Sequence, residues 1–137
     1  MRDNQYMRLE YIAAGARPEF PLLLIFDASP HDILQIINPI KAITRGVTDI
    51  FPLHAIPEIT SLGECKLYLQ HAALEENSFK RIKPTYHFNW KQTAESWSNI
   101  VEKLSPLTVE NTEVVSVIFE SKSEVRFIVT NNKEMDW

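Results

Sequence analysis

The chain has 137 residues, 45% of them hydrophobic and 23% charged, which is the size and balance of one globular domain and excludes a largely disordered chain. A formal charge of −4 disfavours binding nucleic acid through a broad basic surface. A single cysteine, Cys65, excludes an internal disulfide and makes a reducing cytoplasm the simplest home.

Met1-Arg2-Asp3-Asn4-Gln5 has no apolar stretch behind it, so no secretory signal is expected. The longest apolar run, Pro21 to Phe26, falls well short of the roughly 20 residues a membrane helix needs. Met7 to Ala13 predicts an edge strand, with Leu9 and Tyr11 alternating against Arg8 and Glu10. Gly15 to Pro21 is a turn region carrying two prolines. Leu22 to Asp27 is continuously apolar until its last residue, the pattern of a strand buried on both faces.

The first helix is the best specified element. Ser29 supplies an N-cap oxygen, Pro30 sits at the first helical position, and Asp32 can complete a capping box. Ile33, Ile36, Ile37, Ile40 and Ile43 form one stripe, and Arg45-Gly46 suits the stop. Pro39 falls inside this pattern and should kink the helix or divide it near Asn38. Val47 to Ala55 predicts a strand interrupted by Pro52, which belongs at a sheet edge or a bulge.

Cys65, Leu67 and Leu69 alternate with Lys66, Tyr68 and Gln70 in a further strand. His71 to Ser78 reads as a long hairpin loop. Ile82 to Trp90 reads as one strand, with Tyr86, Phe88 and Trp90 on one face and Thr85, His87 and Asn89 on the other. A second helix spans about Ala94 to Leu104, capped by Thr93 and ended by Ser105-Pro106, with Ala94, Trp97, Ile100, Val101 and Leu104 as its buried stripe. Val114 to Phe119 and Val125 to Val129 form a closing hairpin. The expectation is a single α+β domain over residues 1–137, in the approximate order ββαβββαββ, with two amphipathic helices on one mostly antiparallel sheet.

Each chemical candidate has a structural explanation in the same residues. Cys65 with His54 and His71 could form a zinc site or a thiol–imidazole pair, but closely spaced ligand pairs are absent and Cys65 shares a face with Leu67 and Leu69. Glu75 and Glu76 are sequence neighbours that point apart on a loop or strand, unlike a working carboxylate pair. Glycines at 15, 46 and 63 cannot make a phosphate cradle. Tyr86, Phe88 and Trp90 with Lys83 and Lys91 resemble a base-stacking strand, yet alternation explains them equally well as a core face. No catalytic residue, metal or cofactor is expected.

What the core does not absorb is charge. Residues 80–91 hold Lys80, Arg81, Lys83 and Lys91 without an acid, whereas residues 92–137 hold eight acids against four bases. Glu110, Glu113, Glu120 and Glu124, around the closing hairpin, are the expected partner-binding residues. In size, charge and fold class the chain is similar to the immunity proteins of bacterial toxin systems. That resemblance implies a toxin inhibitor whose carboxylates meet a basic protein partner; the net charge and the short apolar runs separately argue for neither a nucleic-acid nor a membrane partner. Two other functions fit the same sequence. One is a small-molecule-binding or enzymatic domain with a pocket between sheet and helix, lined by Trp90, Trp97, Tyr68 and a histidine. The other is an oligomerising structural domain that pairs edge strands.

Overall fold

The computed structural model describes residues 7–12, 22–72, 77–82, 85–110, 116–119 and 126–131. Two α-helices and nine strands are seen among them, forming a single α+β domain. The strands are β1 (Met7–Ile12), β2 (Leu22–Phe26), β3 (Ile50–Pro52), β4 (Ile59–Ser61), β5 (Lys66–His71), β6 (Ser78–Ile82), β7 (His87–Gln92), β8 (Ser116–Phe119) and β9 (Arg126–Thr130). The helices are α1 (Pro30–Thr44) and α2 (Ala94–Leu104), and short 3-10 turns follow β3 and α2.

The order agrees in outline with the expected one, but the strands divide into two mixed sheets rather than one. The five-stranded sheet runs β4-β1-β2-β9-β8 and the four-stranded sheet runs β3-β5-β7-β6. Within them β1–β2, β3–β5, β6–β7 and β8–β9 are antiparallel. The pairs β1–β4, β2–β9 and β5–β7 are parallel. The closing hairpin β8–β9 is therefore present, and its second strand is also the partner of β2.

Helix α1 begins as its sequence requires. Ser29 Oγ accepts from the Asp32 N–H at 3.2 Å, and the Ser29 N–H donates to the Asp32 carboxylate at 3.0 Å, so both halves of the capping box are made. It ends in a Schellman motif: Gly46, at φ +75°, donates to Ile43 O, and Val47 donates to Ala42 O. Pro39 does not divide the helix, which runs continuously from Pro30 to Thr44. A proline in a helix interior costs about 3 kcal/mol. Burying Ile36, Ile37, Ile40 and Ile43 contributes roughly 1.5–3 kcal/mol each, which outweighs it.

Three further differences have physical causes. The predicted strand over 47–55 stops at Pro52 and continues as a 3-10 turn, which leaves the proline at the end of an edge strand. The stretch Ile82 to Trp90 is two strands with a turn between them, closed by the Thr85 N–H donating to Ile82 O at 3.1 Å. Pro84 lies between those strands in sequence and has no N–H for a ladder. Residues 71–78 do not join a hairpin, because β7 lies between β5 and β6 and pairs with both.

The inner faces of the two sheets meet across a seam of aromatic rings. Phe127 packs on Phe79 and Trp90, with centroids 5.5 and 5.0 Å apart, and Tyr11 packs on Phe88 at 5.1 Å. The isoleucine stripe of α1 and Trp97, Ile100 and Leu104 of α2 join the same core, and the two helices also pack against each other. The Trp97 indole N–H donates to Gln70 O at 3.2 Å, tying α2 to β5. A second small cluster, Leu24 and Ile128 with Ile12 and Phe26, lies on the other face of the five-stranded sheet. Among the described residues no helix is long and apolar enough to cross a membrane.

Candidate functional site

The four-stranded sheet presents two chemically opposite faces. Its inner face carries Leu67, Leu69, Phe79, Phe88 and Trp90, all buried. The register assembles the outer face from three rows. Ile50, Gln70, Lys91 and Ser78 form one, and Pro52, Tyr68, Asn89 and Lys80 the next. Lys66, His87 and Ile82 form the third. None of these side chains is buried, and the rows hold Lys66, Lys80 and Lys91 but no acid.

At the centre of that face the Tyr68 ring meets two imidazoles edge-on. The centroid distances are 5.0 Å to His54 and 6.4 Å to His87. His54 reaches this position because β3 ends at Pro52. The backbone N–H of Leu67, one residue beyond the last β3–β5 pair, then needs another acceptor. His54 Nδ1 takes that place, 3.1 Å from the Leu67 nitrogen. The same Nδ1 lies 3.3 Å from Leu67 O. One nitrogen cannot accept from the amide and donate to the carbonyl together, and the shorter contact favours a bare Nδ1 accepting from the amide. Burial lowers the His54 pKa most strongly, the Leu67 backbone opposes it, and the charges of Lys66 and His87 lower it further. The neutral imidazole is thus the form suited to this bond.

A groove of about 210 Å³ opens on another side, between α2 and the ends of both sheets. Phe79, Trp90, Ile100 and Phe119 supply its apolar wall, and Gln92, Ser96, Asn99 and Lys103 its polar groups. Of the residues expected to line a pocket between sheet and helix, Trp90 borders this groove, whereas Trp97, Tyr68 and the histidines do not. A second cavity, of about 230 Å³, touches Glu10, Tyr11, Leu62, Gly63, Cys65 and Tyr86. The Arg81 guanidinium lies over both tyrosine rings beside it, at 5.2 and 4.9 Å.

Cys65 is 1% exposed, and burial, helped by Glu10, pushes its thiol pKa up to about 12. It is a protonated core thiol, not an activated nucleophile. His54 is engaged by the β5 backbone, and the His71 backbone N–H donates to Asp49 O at 2.8 Å. Among the described residues no three His, Cys, Asp or Glu side chains gather to hold a metal ion. Phe88 and Trp90 face the core at 0% and 2% exposure, so they offer no stacking platform, while Tyr86 sits exposed in the turn before β7.

Of the carboxylates expected to bind a partner, Glu110 is exposed at the turn after α2 and its 3-10 extension. Glu113, Glu120 and Glu124 lie outside the described residues, as do Glu75, Glu76, Lys83, the Gly15 to Pro21 turn and Trp137. Lys80 and Lys91, from the basic stretch 80–91, share this face, and Lys66 joins them from a third strand that is distant in sequence. Comparison with known protein families, with curated proteins and with solved structures finds no match.

Proposed function

We propose that this chain is a cytoplasmic protein-recognition domain of the inhibitor or immunity type, which acts by lying against another protein and blocking it. The observation that supports this reading is the outer face of the four-stranded sheet. It holds accessible side chains in fixed register, with Tyr68 at its centre and Lys66, Lys80 and Lys91 around it without a carboxylate. Interfaces draw most of their energy from a few aromatic anchors, and complementary charge steers encounter and sets orientation. Such a face suits an acidic protein surface. Three lysines are few for nucleic acid on a chain of net charge −4, which favours protein over a polyphosphate backbone.

A second partner chemistry is favoured by that same net charge. Glu110, exposed, with Glu113, Glu120 and Glu124, would meet a basic protein such as a toxin domain. One experiment separates the two. The tagged protein is used to isolate its partner, and affinity is then measured for two charge-reversal variants. Lys66→Glu/Lys80→Glu/Lys91→Glu should weaken binding and flatten its salt dependence if the sheet face docks. Glu110→Lys/Glu113→Lys/Glu120→Lys/Glu124→Lys should do so if the carboxylates dock. Unchanged affinity in both, or isolation of no partner together with turnover of a substrate, would overturn the recognition reading.

A further inference from the structure

We propose that His54 is a proton-operated contact that sets the charge of the outer sheet face, a regulation that rests on the reading of that face as a docking surface. Uncharged, its Nδ1 accepts from the Leu67 N–H. Protonated, the same nitrogen donates to Leu67 O, and the face then holds an acidic partner more tightly.

The edge of β5 creates the arrangement. The His71 N–H donates to Asp49 O, and Leu69 pairs with Phe51, so every second residue of β5 turns its backbone groups toward β3. Leu67 is the next in that series, but β3 ends at Pro52, opposite Tyr68. His54 stands in for the missing backbone, with Nδ1 3.1 Å from the Leu67 nitrogen and 3.3 Å from its oxygen. A bare imidazole nitrogen accepts and a protonated one donates. Each protonation state of this one atom therefore satisfies one of the two Leu67 groups, and the charged ring keeps a bond that holds it in place.

The surroundings decide what the proton does. The 3-10 turn that carries His54 packs on β5 and β4. Lys66 and Tyr68 face the ring from β5, and His87 acts on it from β7. Strand β4 holds Ile59, Thr60 and Ser61, none of them titratable. Burial most strongly, then Lys66 and His87, disfavour the charged ring, whereas the Leu67 backbone favours it, and no carboxylate takes part. The ring is thus uncharged at neutral pH. A proton taken up in acid joins Lys66, Lys80 and Lys91 beside Tyr68, at the centre of the face. Carboxylates of a partner would offset the repulsion from Lys66, so binding and protonation favour each other.

The test is NMR of the full ¹⁵N-labelled chain, titrated between about pH 8 and about pH 5 with and without hexa-aspartate. The uncharged ring should carry its proton on Nε2, and the Leu67 amide should shift with the same midpoint as the ring. Saturating hexa-aspartate should raise that midpoint. His54→Gln offers an amide oxygen and an N–H to the same two groups without a charge. Between about pH 7.5 and about pH 5, affinity for hexa-aspartate should rise about two- to fivefold more in wild type than in His54→Gln, the worth of one accessible charge pair. A proton on Nδ1 of the uncharged ring, a Leu67 amide that ignores the titration, or the same pH dependence in both proteins would overturn the proposal. The first two are read on wild type alone. Hexa-aspartate that binds at neither pH would instead overturn the docking reading, with the Leu67 amide still deciding whether the bond is exchanged.

Discussion

Replacing His54 by alanine is expected to destabilise the fold and to remove part of its sensitivity to acid. The imidazole stands where a longer β3 would have placed a carbonyl, accepting the Leu67 N–H at 3.1 Å. Leu67 is fully buried, so the variant leaves its amide without a partner, at a cost of about 1–3 kcal/mol. For a domain of this size that corresponds to a fall in Tm of about 3–12 °C. The pH dependence follows from the lowered His54 pKa. The unfolded chain titrates at 6.5 and the folded chain below it, so the unfolded state binds more protons in the interval between. Stability from this group is therefore complete above 6.5 and declines as pH falls through that value toward the lower folded one. Urea unfolding of both proteins at about pH 7.5 and at about pH 5 measures it, with the difference between proteins isolating His54. Equal pH slopes, or a variant as stable as wild type, would refute the role given to His54.

Ser29→Ala removes one half of the α1 capping box and should cost about 1 kcal/mol, seen as a lower urea midpoint at unchanged slope. Trp97→Phe gives up the bond to Gln70 O and part of a fully buried side chain, for a loss of about 2 kcal/mol in the same assay. Cys65, with its pKa pushed up to about 12, should resist iodoacetamide in the native state and react only on unfolding. Native labelling as fast as that of the denatured chain would contradict its burial.

The local signals were readable and the non-local ones were not. Helix α1 carries its cap, its stripe and its stop within Ser29 to Gly46, so each requirement is met by neighbours in sequence. The alternations Leu67/Leu69 and Phe88/Trp90 marked the core because a strand's faces have period two. Strand β4, three residues long, is too short for any alternation to show. The division into two sheets depends on which strands pair, and β9 lying parallel to β2 joins segments about a hundred residues apart. For the same reason the full set of residues at each site could not be read from the sequence, although Lys80, Lys91 and Trp90 stood out in it. The lysine face needs the β5–β7–β6 register, and the groove draws Phe79, Gln92, Lys103 and Phe119 from four different elements.

The most direct test of the account is the affinity of the isolated partner for Lys66→Glu/Lys80→Glu/Lys91→Glu, measured against wild type over a range of salt. The three positions are accessible and lie outside the core, so the variant keeps the fold. Docking through the outer sheet face gives a loss of at least about tenfold at low salt that shrinks as salt screens the charges. Equal affinity at every salt concentration would contradict docking through the outer sheet face.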